Sequence, residues 1–244
     1  MTAVADGAAF AIGQGAGSGW DLQSETAVAI RTLKSDAPVI VDVGANDGRW
    51  ILPVAARLKG RAFRVVAIEC APICLERLSV STRDVPEVTI IPAALSDRSG
   101  EGTLWCPTVG SGLASLHQRG DTSVLTATFE PLTVRLRTLD DLMGELGVDV
   151  IDYLKMDIEG HELMALHGAS GLMERRAIRA IAFEFGSGNV NSRTFFRDLW
   201  QLLEKHGFGI FRMAPGGKLV PIPAYDDRLE YFRGATNYLA VLRD

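Results

Sequence analysis

The stretch Val39-Ile40-Val41-Asp42-Val43-Gly44-Ala45-Asn46-Asp47-Gly48 decides how this chain is read. Residues 39–43 carry four apolar side chains and one acid, the composition of a short strand buried on both faces, and such strands belong to parallel sheets covered by helices. Gly44 and Gly48 follow at once. They allow torsions closed to other residues and let a ligand approach the main chain closely. Apolar positions resume at Ile51, Leu52, Val54, Ala55 and Leu58 with helical spacing, so the turn joins a strand to a helix whose first amides face the ligand. Pro53 lacks an N–H, and the spacing predicts a helix that starts late or bends there.

A second strand, Arg64-Val65-Val66-Ala67-Ile68, ends at Glu69, 21 positions past Gly48. That is the separation of an acid that accepts ribose hydroxyls, roughly 20 residues on. A dinucleotide fingerprint would need G-x-G-x-x-G, but Asn46 and Asp47 stand in that region. The carboxylates of Asp42 and Asp47 repel a pyrophosphate and suit a ligand that carries an ammonium or sulfonium.

These pieces resemble the class I S-adenosylmethionine-dependent methyltransferases, and more closely their FkbM-type O-methyltransferases. The matching stretches are 41–48, Ala67-Ile68-Glu69, Ala93 to Gly100, Leu139-Asp140-Asp141-Leu142 and Asp152 to Glu162, with a weaker match at Asn237 to Val241. One departure is Glu69-Cys70-Ala71-Pro72, where the family has proline directly after the acid. The resemblance implies a doubly wound, seven-stranded, mostly parallel sheet with an antiparallel last strand lying between the fifth and sixth. It assigns Asp42, Gly44, Asn46, Gly48, Glu69, Ser96, Asp97 and Asp157 to the cofactor, with Ser96 and Asp97 bordering the adenine.

Length and composition agree with a single α/β domain over residues 1–244: 47% hydrophobic and 23% charged residues suit a globular protein with a sizeable core. A net charge of −5 offers no general basic surface, which argues against nucleic acid as partner. No apolar run reaches membrane-spanning length, and no basic residue precedes Arg31, so the expectation is a cytoplasmic protein without membrane insertion. Cys70, Cys74 and Cys106 form no Cys-x-x-Cys pair and read as reduced, small buried side chains. Oligomeric state is open, a homo-oligomer included.

Residues 1–23 are rich in alanine and glycine and read as a mobile segment or lid. A helix follows with Ser24 as candidate N-cap, Glu25 in its first turn, and Val28, Ala29 and Leu33 on one face. After Glu69, Ile73 to Val80 is helical and Val88-Thr89-Ile90-Ile91 is a third strand. Gly102 to Cys106 and Thr133 to Arg137 look extended. Between them, residues 108–130 form a long polar loop taken as a substrate loop, with Ser111, Ser115, His117 and Arg119 as contacts for a hydroxylated small-molecule acceptor or as a solvated surface. Ile151 to Met156 is the fourth strand, placed beside the first; Ala180 to Phe183 is the fifth, ending at Glu184. Ala214 to Gly217 is a turn, and Thr236 to Leu242 the last strand. Tyr225, Tyr231, Phe232 and Arg233 border the acceptor or pack as aromatics.

The densest chemistry lies after the fourth strand: Asp157, Glu159, His161 and Glu162. Methyl transfer to a hydroxyl needs alignment, exclusion of water and a base for the acceptor proton. Glu159 is the first choice of base, on the argument that neighbouring acids raise its proton affinity, and His161 is the second. Asp157 orients the cofactor or acceptor. Asp157, Glu159 and Glu184 also offer the hard oxygen ligands that magnesium takes. Glu162 is read as a first-turn acid that stabilises its helix, and Lys155 as a partner for one of these acids. The reading is an S-adenosylmethionine-dependent O-methyltransferase acting on a sugar, glycolipid or secondary metabolite. The alternatives are a nicotinamide-dependent oxidoreductase and a cofactor-binding module without turnover.

Overall fold

Ile40 and Val41, neighbours in the first strand, belong to different hydrophobic layers, as the two-residue period of a strand demands. The same split recurs at Val65 and Val66, Tyr153 and Leu154, and Ala180 and Ile181. The central strands are therefore apolar on both faces and need helices on each.

The computed structural model describes residues 7, 9–17, 21–107, 112–120 and 128–244. In chain order the elements are α1 (Leu22–Thr32), β1 (Val39–Val43), α2 (Ile51–Leu58), β2 (Arg64–Glu69), α3 (Pro72–Thr82), β3 (Val88–Pro92), β4 (Ala94–Leu95), β5 (Gly100–Pro107), β6 (Phe129–Arg137), α4 (Leu139–Glu145), β7 (Tyr153–Met156), α5 (Glu162–His167), α6 (Ser170–Glu174), β8 (Ala180–Gly186), α7 (Ser187–Ser192), α8 (Phe196–Lys205), β9 (Phe208–Ala214), β10 (Lys218–Ile222) and β11 (Ala235–Leu242). The main sheet runs β10-β9-β11-β8-β7-β1-β2-β3. Pairing is parallel from β8 through β7, β1 and β2 to β3, and β11 lies antiparallel between β8 and β9. One layer packs α1, α2 and Leu78 of α3 on the sheet; the other packs α4, α5, α6 and α8. In α8, Phe196, Leu199, Trp200 and Leu203 are buried, each worth roughly 1.5–3 kcal/mol in transfer free energy.

The sheet has eight strands rather than seven. The turn at Pro215-Gly216-Gly217 folds the chain back as β10, antiparallel to β9. Pro221 hides this strand from pattern reading, because proline removes a ladder donor; at the sheet edge, where β10 lies, the missing donor costs little. The extended pieces around the long loop form one hairpin, β5 with β6, and β4 joins them in a separate three-stranded sheet.

Three local expectations also shift. The N-cap of α1 is Asp21, whose side chain accepts from Ser24 N; Ser24 itself lies inside the helix. The strand β8 runs on to Gly186, past Glu184. Helix α2 starts late, as expected: it begins at Ile51, so Pro53 falls in the first turn, where amides have no intrahelical partner. Residues 9–17 of the proposed lid lie against the end of the sheet, with Gly15 N donating to Thr236 Oγ1 at 2.9 Å. No helix among the described residues is long and apolar enough to cross a membrane.

The turn after β1 is held by a close approach. Gly44 has φ +75°, and a Cβ there would lie 2.0 Å from the Asp157 carbonyl oxygen. Gly60, with φ +88°, has open space around it. Gly60→Ala should therefore cost only the left-handed conformation, about 1 kcal/mol, and Gly44→Ala about 3 kcal/mol or more. Urea denaturation of the two variants measures the difference; equal losses would mean that the turn can move off β7.

Candidate active site

The carboxyl ends of β1, β2, β7 and β8 open onto a cavity of about 610 Å³, the size of a ligand site (roughly 300–1,000 Å³). Glu69, ending β2, lines it and is tied to the β1 turn. Its Oε2 accepts from Asn46 N at 2.9 Å, and its Oε1 accepts from Cys70 N and Ala71 N at 2.8 Å each. Burial pushes Glu69 above the usual carboxylate range, and these three amide bonds oppose the shift. Gly44, Asn46, Ile68, Ala93 and Leu95 also line the cavity near it.

Not every residue assigned to the cofactor reaches the wall. Gly48 packs away from it, where a Cβ would meet Ser81 Oγ at 2.9 Å and Leu78 Cδ1 at 3.0 Å. Ser96 and Asp97 lie behind the wall. The Ser96 hydroxyl donates to Asp97 Oδ1 at 3.0 Å and sits 3.0 Å from His161 Nε2, while Asp97 pairs with exposed Arg98 at 3.2 Å. Cys70 and Cys74 line the cavity as free thiols; burial pushes Cys74 up to about 11, which keeps that thiol neutral at pH 7.

Asp42 is fully buried beneath the cavity and does not line it. Its Oδ1 lies 3.2 Å from Lys155 Nζ, and its Oδ2 accepts no hydrogen bond. Lys155 also pairs with Asp157 at 3.7 Å and lies 5.8 Å from the centre of the Trp50 ring, which stacks on Tyr153. Burial alone would pull this lysine down, but Asp42, Asp157 and Glu25 outweigh it and hold the ammonium charged. Unlike Asp42, the side chains of Lys155, Asp157, Glu184 and Glu25 reach the cavity.

The β7–α5 turn carries the remaining candidates. Glu159 adopts φ +54°, a left-handed conformation that costs a non-glycine residue about 1 kcal/mol or more and tends to persist at functional sites. Its carboxylate is paired with the buried Arg119, and its carbonyl accepts from Ser115 Oγ at 2.9 Å. His161 lines the cavity, but both ring nitrogens are engaged: Nε2 with Ser96 and Nδ1 with His117 Nε2, each at 3.0 Å. Because the Ser96 hydroxyl donates to Asp97, we assign Nε2–H to His161, with Nδ1 accepting from His117. Burial, then the neighbouring His117, brings His161 down to about 4. Glu162 is not an exposed first-turn acid. It is fully buried, its Oε1 accepts from Ile158 N at 3.1 Å and Gly160 N at 3.4 Å, and burial raises it to about 8.

Residues 112–120 of the long loop form the roof. Ser115 bridges to Trp105 through both backbone groups, Gly120 N donates to Asn191 Oδ1 at 3.0 Å, and Arg119 and His117 hold the β7–α5 turn. Ser115 and Arg119 are therefore in place at the cavity, while His117 sits behind it on His161; Ser111 lies outside the described residues. Of the distal aromatics, Phe232 packs edge-on to Phe185, Tyr225 donates to Glu230, and Tyr231 is exposed. The magnesium reading has no support: no three acids, histidines or cysteines among the described residues converge on a metal-sized point. Arg119 and Lys155 already engage Glu159 and Asp157. Sequence reasoning missed Glu25. The readable signal was its place three and four residues before Val28 and Ala29, on the buried side of α1.

Two outcomes follow from these pairings. Lys155→Met should cost about 3–5 kcal/mol because it strands buried carboxylates; adding Asp42→Asn should recover part of that in urea melts, and no recovery would refute the pairing. The folded state holds His161 neutral, with its value below the unfolded 6.5. Its contribution is complete above about pH 6.5 and lost as pH falls toward 4, about 2 kcal/mol by pH 4.5. Thermal melts of wild type and His161→Gln across that window should converge as pH falls.

The model of the methyltransferase FkbM domain matches residues 42–210. The chain is 30% identical over 210 residues to the AMB antimetabolite synthetase AmbE of Pseudomonas aeruginosa, covering 73% of this chain but 10% of that protein. It is 29% identical over 152 residues to the 2-O-methyltransferase NoeI of Sinorhizobium fredii, covering 57% of this chain and 60% of that one. A crystal structure of methyltransferase FkbM from Methylobacillus flagellatus aligns at TM-score 0.51 and 21% identity, over 84% of this chain and 44% of the other. That likeness is one of fold. A nicotinamide oxidoreductase is set aside by the family match. The chain belongs to the FkbM family of S-adenosylmethionine-dependent methyltransferases.

Proposed function

We propose that the protein transfers a methyl group from S-adenosylmethionine to a hydroxyl of a small molecule, a sugar, glycolipid or secondary metabolite, with Glu159 taking the acceptor's proton. The observation that carries this reading is one cavity under the 112–120 roof, lined by Glu69 and Asn46 after β2 and β1 and by Glu159 and His161 after β7. NoeI, by its name, methylates an oxygen, which favours a hydroxyl acceptor, and AmbE is a synthetase of an antimetabolite, which favours a small molecule.

When bound, the donor supplies an electrophilic methyl on a sulfonium. The rest of the work falls to the chain. Asp157, held by Lys155, would orient the donor end of the cavity, and the roof would exclude water and fix the acceptor oxygen in line, which supplies several kcal/mol of the barrier. Glu159 is bonded to Arg119, which fixes its carboxylate in place. An alcohol oxygen that bonds to a methyl carbon becomes a strong acid, and a paired carboxylate at a fixed place suffices to receive its proton. His161, with both nitrogens engaged, would position the turn rather than act as base.

Glu159→Gln should lower kcat about a hundredfold or more, in the range of a lost general base, with donor affinity nearly unchanged by calorimetry. Methylation of the true acceptor at the wild-type rate would remove Glu159 from this role. Incubation with labelled donor and a panel of sugar and secondary-metabolite hydroxyls identifies the acceptor. Labelling at nitrogen or at carbon would overturn the O-methyl reading.

A further inference from the structure

Helix α1 precedes the stretch that matches the family model, yet one of its side chains reaches the donor end of the cavity. Glu25 sits in the first turn, half-buried, and lines the wall with Trp50, Lys155, Asp157 and Glu184. The Asn237 amide of β11 donates to its Oε1. An acid in a first helical turn is favourable whatever it faces, by roughly 0.3–1 kcal/mol at exposed sites, so position alone says little. What it faces says more.

The charges around this point do not balance. Glu25 from α1, Asp42 from β1 and Asp157 after β7 interact with one ammonium, Lys155 of β7. Asn237 from β11 and Tyr153 of β7 are the neutral polar neighbours. These three carboxylates against one cation, with Glu184 on the same wall, leave this end of the cavity acidic, and the fully buried Asp42 keeps an oxygen without a hydrogen bond. A buried excess of negative charge is relieved by a proton or by a cationic ligand. Burial above all, with Asp157 and Asp42 adding to it, lifts Glu25 to about 7, so near neutral pH in the unliganded cavity this carboxyl is partly protonated.

We propose that Glu25 binds the α-ammonium of the donor's amino-acid portion, so that α1 completes the donor site. The proposal rests on the reading of this cavity as an S-adenosylmethionine site. An ammonium against Glu25 and Asp157 cuts the excess from two negative charges to one without moving Lys155 from Asp42. The donor's adenosine would then lie toward Glu69, at the other end of the same wall. Because the cation favours the carboxylate, affinity for the donor should rise with pH through about 7, and below that value binding should release a proton.

Three ligands separate the outcomes in calorimetric titrations: S-adenosylmethionine, S-adenosylhomocysteine, which keeps the ammonium but not the sulfonium, and 5′-methylthioadenosine, which lacks the amino-acid portion. In Glu25→Gln the first two should each weaken about tenfold or more, while the third is unchanged, because only a charge-assisted bond to the ammonium is lost. At pH 6.5, titrations in buffers of different ionisation enthalpy should show proton release with wild type, none with methylthioadenosine and none with the variant. Equal weakening of all three ligands would mean that Glu25 only holds α1 in place, and weakening of S-adenosylmethionine alone would mean that it faces the sulfonium; either overturns the proposal. If wild type binds none of the three, the donor reading itself is wrong. If the variant alone is intact toward all three, only the role of Glu25 falls.

Discussion

One ammonium buried between two strands organises this molecule. Lys155 in β7 reaches across to Asp42 in β1, its register partner, and forward to Asp157 at the strand end. Taking an ammonium out of water costs several kcal/mol, repaid only by carboxylates at contact distance. The pair therefore ties the two central strands beneath the cavity and leaves the floor negative. Trp50, at the start of α2, closes over the lysine and stacks on Tyr153, so the helix after the glycine turn is fixed by the same cation.

Backbone contacts set the position of the walls. Gly44 passes so close to the Asp157 carbonyl that no side chain fits, and Glu69 takes the Asn46 amide. These two contacts join the ends of β1, β2 and β7 at hydrogen-bond precision, which loops alone would not achieve. The cover of the cavity is built differently. It depends on a loop, residues 112–120, held by the Arg119–Glu159 pair, the His117–His161 pair and the Ser115 bridge.

Protonation divides along the same line. Lys155 is held charged, while His161 and Glu162 are held neutral by burial at pH 7. Glu25 stands between these limits.

The order of strands around β1 was legible in the chain itself. Four apolar residues per strand, glycines after the first, and Glu69 some 21 positions on follow from local periodicity and turn chemistry, and the family resemblance located the antiparallel β11. Gly44, Asn46, Glu69, Asp157, Glu159 and His161 were found at the cavity because strand ends of a doubly wound sheet converge there. What lay beyond reading depended on side chains meeting across distant parts of the chain. The strand β10 was masked by a proline that only an edge tolerates. Asp42 and Gly48 share a motif with Gly44 but point into the core and onto α3. Arg119 takes Glu159 from 40 positions away, and Glu25 reaches the cavity only because α1 packs beside α2. Periodicity tells which face of an element is buried; it does not tell what that face is buried against, and the chemistry of this site is decided by those partners.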